Sequence, residues 1–182
     1  MPVKLSQFSS RNFDRGAPRF LEALWIVFGG PLLRASLPGS CWRRWLLLAF
    51  GSSVSRSTVW KPGVRVKFPW KLTVGDHCWI GEDAWFDNLA HVELANNVCV
   101  SQGAYLCTGN HDWSVESFDL MIGKISLEDG VWIGAKSVVL PGTIAREGAV
   151  LTAGSVGVGV LDGYTIYSGN PATLKKRRVL RG

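Results

Sequence analysis

The chain has 182 residues, of which 47% are hydrophobic and 19% charged, with a net charge of +6. That is enough apolar content to bury one domain's core and too much for a disordered chain. A membrane-spanning helix needs about 18 or more apolar residues in a row. Charges and breakers cut every such stretch here, which excludes one. The polar, Arg-bearing start lacks a small-residue cleavage site, so it does not read as a secretory signal.

Residues 1–56 carry eight basic and two acidic side chains, residues 57–174 seven and twelve, and residues 175–182 five and none. A nucleic-acid reader would carry its basic stripe on the folded body, so nucleic acid is not an expected partner. Basic ends suit a phosphate-bearing small ligand or an anionic membrane surface, or simply solubilise the termini. Cys41, Cys78, Cys99 and Cys107 form no C-x-x-C pair and read as reduced thiols of a cytoplasmic protein.

Residues 1–56 form a first segment with helical spacing. Phe20, Leu21, Leu24, Trp25 and Phe28 recur as one apolar face, and Trp42, Trp45, Leu46 and Ala49 as another. Gly29-Gly30-Pro31 and Pro38-Gly39 act as breakers, so two short helices are expected. They either cover an open end of the following domain or pack on a neighbouring subunit. Alternatively they touch a membrane interface, because Arg34, Arg43 and Arg44 flank Trp-rich faces.

From Pro62 the chain repeats in sixes. The lead positions Pro62, Phe68, Val74, Ile80, Phe86, Val92, Val98 and Ala104 are all apolar, and a second block runs Leu127, Ile133, Val139, Ala145, Leu151. A helix needs a period of 3.6 and a single strand a period of 2. An apolar lead every six residues instead means a turn at every sixth residue. Three hexads close one triangular coil, so residues 57–160 are expected to wind as a parallel β-solenoid. Glycine after the lead, at Gly63, Gly75 and Gly81, fits a corner with an unusual backbone angle. Residues 161–182 form a basic tail.

The interval from Ala104 to Leu127 is not a multiple of six, so a loop over 107–124 leaves the prism. It holds Thr108-Gly109-Asn110-His111-Asp112-Trp113, the chemically densest stretch of the chain, on the kind of rigid scaffold that presents functional loops. His111 is the candidate general base, since imidazole takes a proton near neutral pH. With three hexads per coil, Asn88 falls one turn below Leu106, beside the root of that loop. There it either holds an acceptor or satisfies its own corner. Asp112 could orient the imidazole. His77 and His91 face water in turns, and with His111 they are too scattered to hold a metal. No phosphate-cradling glycine loop and no Gly-x-Ser-x-Gly elbow occurs, which disfavours nucleotide cradling and a serine esterase. Cys107, four residues from His111, is the rival covalent nucleophile.

The runs Trp85-Phe86-Asp87-Asn88-Leu89-Ala90, Ser101-Gln102-Gly103-Ala104-Tyr105-Leu106-Cys107-Thr108-Gly109-Asn110-His111-Asp112, Asp129-Gly130-Val131-Trp132-Ile133-Gly134-Ala135 and Tyr167-Ser168-Gly169-Asn170-Pro171-Ala172 resemble the colanic-acid-biosynthesis O-acetyltransferases. These are hexapeptide-repeat acyltransferases near the maltose, galactoside and nodulation acetyltransferases. The resemblance spans nearly the whole chain. It implies a mainly β, left-handed parallel β-helix assembled as a homotrimer, with acetyl-CoA as co-substrate, a small-molecule sugar acceptor and no metal. It implies His111 as general base, with Asp87, Asn88, Asp112 and Trp113 on the acceptor side. Trp132, Gly134, Ala135 and Ala153 would line the cofactor groove between subunits. Relatives commonly carry a Thr-Lys-Asp stretch after the Gly-Ser-Val turn, whereas this chain reads Gly154-Ser155-Val156-Gly157. The missing cofactor lysine leaves Lys175, Lys176 and Arg177, together with Arg178 or Arg146, to meet the phosphate. The expected location is cytoplasmic, with peripheral contact at the inner membrane face through residues 1–56 as an option. A non-catalytic solenoid scaffold would explain the repeat but not the loop.

Overall fold

The computed structural model describes residues 3–10 and 13–181; the expected first segment and tail therefore include residues 1, 2, 11, 12 and 182, which lie outside the described residues. The repeat folds as a parallel β-solenoid with three faces. One sheet has six strands, the second seven and the third five, and a separate two-stranded hairpin carries the loop. Each strand pairs with the strand one coil away, so the backbone of every coil is satisfied by its neighbours.

The coil length differs from the expected three hexads. Ser53 pairs with Thr73 and Trp85 with Tyr105, an advance of 20, and Val92 pairs with Ile125 across the loop. Only after the loop does Ser126 pair with Ile144 at an advance of 18, and the last coil tightens to 16, Ile144 with Val160. The inward strand residues of the first three coils are Val54, Trp60, Val66, Val74, Ile80, Phe86, Leu94, Val100 and Leu106, all buried. One side of each early coil is two residues longer than the others. An uninterrupted count of six therefore slips: Pro62 and Phe68 stand two past the true lead, while Val92, Val98 and Ala104 stand two before it. The count still meets apolar residues because the position two before each lead also faces inward, as Cys78, Ala84, Val92, Val98 and Ala104 do.

The extra residues all leave from the same edge. They form the short turn Pro69–Lys71 in the first coil, the Asn88–Ala90 corner in the second and the 107–124 loop in the third. The scaffold thus makes room for its excursion two coils before the excursion appears.

The glycine reading holds at Gly63, with φ +77°, but not at Gly75 or Gly81, whose φ is ordinary. Those two are small because the next coil lies against them: a Cβ on Gly81 would stand 2.5 Å from the Gln102 nitrogen, and one on Gly75 2.7 Å from the Ala95 carbonyl. Several left-handed corners are instead filled by His77, Asp83 and Asn97, residue types that tolerate positive φ better than most.

The helical segment covers the first coil. Trp25, Leu33 and Leu47 are buried in the same core as the solenoid interior, and the Trp25 indole donates to the Val66 carbonyl at 2.9 Å. The breaker at Gly29-Gly30-Pro31 does not break the helix. Arg19–Leu24 runs into a π-turn at Trp25–Gly29 and on into Gly30–Arg34; the wide turn accommodates Pro31, whose ring would collide with a normal helical carbonyl. Gly29 is needed because a Cβ there would meet the Trp25 ring at 2.3 Å. Arg43 is fully buried, not flanking a surface. Its guanidinium donates to the carbonyls of Leu33, Ala35, Leu37 and Gly39, stitching the turn between the helices.

The solenoid begins at Ser53–Val54 and continues past residue 160 through Val160–Leu161 and Thr165–Gly169. The basic tail is not free: Ala172–Arg177 folds back as an antiparallel strand on Thr165–Gly169. Because Gly81 touches backbone rather than a yielding side chain, Gly81→Ala is expected to destabilise the fold by about 1–3 kcal/mol. The measurement is a melting temperature lowered by roughly 2–4 °C per kcal/mol.

Candidate active site

The loop opens as an antiparallel hairpin in which Gly109–His111 pairs with Leu120–Ile122, His111 opposite Leu120. Its root is clamped by Thr108, whose backbone N–H and hydroxyl both reach the Asp87 carbonyl, while the same hydroxyl accepts from Ala90 N–H and its carbonyl from Gly123 N–H. Asn88 therefore does lie beneath the loop root, though through the longer early coil rather than one of three hexads.

His111 is half-buried. Its Nδ1 lies 2.8 Å from the Phe118 carbonyl, and since a carbonyl can only accept, Nδ1 is the donor, which in the neutral tautomer leaves the lone pair on Nε2. Among the described residues Nε2 has no hydrogen-bond partner. The Phe118 ring stacks on the imidazole at 4.3 Å and 5°, and Phe8 closes on it edge-on at 5.4 Å. Phe118 sits at φ +51°, an uncommon angle for a bulky residue, held by its N–H on the Val115 carbonyl. That bend lets one residue supply both the carbonyl and the ring.

Asp112 does not orient the imidazole. Its carboxylate accepts from the Ser114 N–H and hydroxyl, and those bonds hold its pKa below the usual value. Trp113 is 75% exposed at the loop tip. Asn88 is fully buried: its Oδ1 accepts from Lys67 and Phe68 N–H, and its Nδ2 donates to the Phe68 and Lys71 carbonyls. All four hydrogen-bonding positions are spent on the corner. Asp87, the residue before, faces outward, with Oδ1 2.9 Å from the Lys67 ammonium and Oδ2 accepting from the Tyr105 hydroxyl. Burial, then the bonds to Cys107 and Asp87, keep Tyr105 protonated. The Cys107 thiol points to the Gly109 carbonyl at 3.1 Å.

A cavity of about 670 Å³ lies beside the hairpin, lined by Ser9, Ser10, Phe13, Asp14, Asp119, Leu120 and Ile122. Residues 3–10 also grip the loop through the Lys4–Glu116 ion pair at 2.7 Å and the Lys4 N–H on the Glu116 carbonyl. Nothing in the sequence pairs these segments: the first lies outside the repeat and the second inside its interruption.

Of the expected cofactor residues four come together, while Lys175, Lys176 and Arg177 lie outside their groove. Trp132, Gly134, Ala135 and Ala153 line one groove of about 330 Å³ with Ser101 and Gln102. A second groove, sharing Ser101 and Gln102, continues past Trp79 to Lys61. Trp132 is half-exposed and its indole donates to the Ser101 hydroxyl at 2.9 Å. A Cβ on Gly134 would stand 2.5 Å from the Ala153 nitrogen, so the groove floor is bare backbone. Strand register aligns Trp79, Cys99, Trp132, Val150, Ile166 and Lys176 in one outward column. Lys176 thus ends the column three strands from Trp132, about 14 Å away. Lys175 and Lys176 are exposed, whereas Arg177 donates to the Gly163 carbonyl and Arg178 to the carbonyls of Gly130 and Gly148. Burial pushes the Cys99 thiol up, so it stays protonated within the column.

The groove begins on the seven-stranded face, and the loop departs from the edge between the other two sheets. Most of the groove's lining, Ser101, Gln102, Gly134, Ala135, Thr152 and Ala153, forms the corner between the seven- and five-stranded sheets, so groove and loop stand at different corners of the column. His91, bonded through Nε2 to the Thr73 hydroxyl, and His77 stay apart from both. Among the described residues no cluster of His, Cys, Asp and Glu could hold a metal.

The chain is 33% identical over 138 residues to the colanic acid biosynthesis acetyltransferase WcaF of Escherichia coli K12, covering 76% of each chain. It belongs to that acetyltransferase family. No protein-family model matches the sequence. Among solved structures, the acetyltransferase resembles a hexapeptide-repeat-containing acetyltransferase of Vibrio cholerae complexed with acetyl coenzyme A. That match has a TM-score of 0.81 at 20% identity and covers 94% of this chain and 96% of that one. It also resembles a galactoside acetyltransferase in complex with coenzyme A, with a TM-score of 0.72 at 18% identity over 87% and 78% of the two chains. At these identities the likeness establishes the fold.

Asn88→Ala removes the only partner that the Phe68 N–H has among the described residues. An orphaned buried donor costs about 1–3 kcal/mol; chemical denaturation is expected to show a loss of at least that size.

Proposed function

We propose that this acetyltransferase moves an acetyl group from acetyl-CoA to a sugar hydroxyl, in the biosynthesis of an exopolysaccharide or related glycan. The observation that carries this reading is the imidazole of His111, fixed at Nδ1 by the Phe118 carbonyl with Nε2 left to act as a base. Transfer is direct, in a ternary complex. Nε2 takes the hydroxyl proton as the oxygen attacks the thioester carbonyl; the new C–O bond forms, the C–S bond breaks, and the departing thiolate is reprotonated from the imidazolium. The Asp14 and Asp119 side chains in the adjacent cavity supply carboxylates suited to sugar hydroxyls, and Asp87 and Trp113 extend the acceptor side. Asn88 acts through the corner it holds.

Acetyl-CoA lies along the column from Trp132 to Lys176. The bare backbone at Gly134, Ala135 and Ala153 admits the pantetheine arm, and the Lys175 and Lys176 ammonium groups meet phosphate in place of the missing turn lysine. The groove and the loop stand at different corners of one column, and we infer that thioester and base meet between copies. This supports a homotrimer in which each groove is completed by a neighbour's His111. Acetyl-CoA is a cytoplasmic metabolite, and the reading places the enzyme there.

His111→Ala is expected to lower kcat by about 10²–10⁴-fold, roughly 3–5 kcal/mol of barrier, with an unchanged melting temperature. Labelled acetyl-CoA and a panel of sugar acceptors read by mass provide the assay, and undiminished turnover would remove the base. Cys107→Ser should retain activity; its loss would shift the chemistry to a covalent route. Lys175→Ala with Lys176→Ala should raise KM for acetyl-CoA about tenfold or more, since a charge-assisted phosphate bond contributes about 1.5–3 kcal/mol, while kcat holds.

A further inference from the structure

The continuous helical run 19–34 has two apolar faces. Trp25, Gly29 and Leu33 recur at i, i+4 and i+8 and are buried against the first coil. On the other side Phe20, Leu24, Val27 and Phe28 recur at i, i+4, i+7 and i+8, and are 67%, 45%, 59% and 65% exposed. Trp45, in the next helix, is also exposed, with the Arg44 guanidinium over its ring at 5.2 Å. A surface helix normally turns polar residues outward; one that is apolar on its outer side meets another apolar phase. No helix among the described residues is long and apolar enough to cross a membrane, so the helix would lie on a surface rather than span it.

Charge selects the occupant. Residues 23–75 contain eight Arg and Lys and no Asp or Glu. Glu22, the one acid within 15–75, is already paired with Arg15. Arg19 and Arg34 are the first and last residues of the helical run, and both are exposed. A second copy of the same face would set these arginines against arginines with no carboxylate between them, whereas anionic headgroups satisfy them and accept the Phe and Val side chains below. We propose that the outer face of helix 19–34 docks the enzyme on an anionic lipid bilayer, lying in the interface with Phe20, Leu24, Val27 and Phe28 inserted and the arginines at headgroup level. Arg43, buried and bonded to four carbonyls, takes no part.

The test is sedimentation of the full chain with vesicles of phosphatidylcholine alone or mixed equally with phosphatidylglycerol. The partition coefficient is expected to be at least tenfold higher on the anionic vesicles and to fall by at least as much in molar salt, where the Debye length shrinks to about 3 Å. Phe20→Ser with Phe28→Ser should reduce anionic binding about tenfold or more without lowering the melting temperature, because both rings are already in water. Arg19→Glu with Arg34→Glu should act similarly. Equal binding to both vesicle types, or undiminished binding by either double variant, would overturn the proposal. So would the absence of vesicle binding together with a smaller mass by light scattering in the Phe20/Phe28 variant, which would give the face to a second copy. The readout does not use catalysis, so it stands or falls separately from the acetyl-transfer reading.

Discussion

Each coil of this protein satisfies its backbone on the coils next to it, so no inner strand is free to shift without breaking the ladder on both sides. That requirement fixes which residues can approach closely, which corners need a left-handed angle, and where additional chain can leave. Gly81 and Gly134 are glycines because neighbouring backbone lies 2.5 Å from where a Cβ would stand. The early coils spend their two surplus residues on one edge, and the third coil sends its loop out from the same place.

The consequence for chemistry is positional. Thr108 and Asn88 turn the edge into a rigid platform through bonds between the loop root and the corner beneath it. From that platform a short hairpin holds His111, and the bend at Phe118 supplies both the carbonyl that sets the tautomer and the ring that limits rotation. A side chain held in one tautomer and orientation loses little freedom on reaction, which is the general advantage of preorganisation. The groove is built by different means, from the Trp132 side chain and the bare backbone of the corner turns at Gly134, Ala135 and Ala153.

Asp87 and Asn88 show how one motif divides into two roles. They are adjacent, but strand alternation sends the first outward to Lys67 and Tyr105 and the second inward to the corner backbone. Asp112 and His111 are likewise adjacent and point to different partners, Ser114 and the Phe118 carbonyl. Adjacency along the chain is a poor guide to shared chemistry wherever the backbone is extended.

The solenoid and its interruption were legible in the sequence, because an apolar residue every six positions and small residues between them are local consequences of stacking. That Trp132, Gly134, Ala135 and Ala153 share one groove is decided by the stacking of the corner turns. The coil length was not. Two inward rows both carry apolar residues, so a slip of two leaves the pattern intact, and only the strand pairing separates the longer early coils from the later ones of three hexads. The partner of the imidazole was also beyond reach, since Phe118 contributes a backbone carbonyl, a group every residue has, and the Phe8 contact joins segments with no common period. Arg43 reads as a surface cation until the turn closes around it. Local pattern dictated which residues face inward; which groups meet across the chain was decided by tertiary packing, because that depends on distances no periodicity encodes.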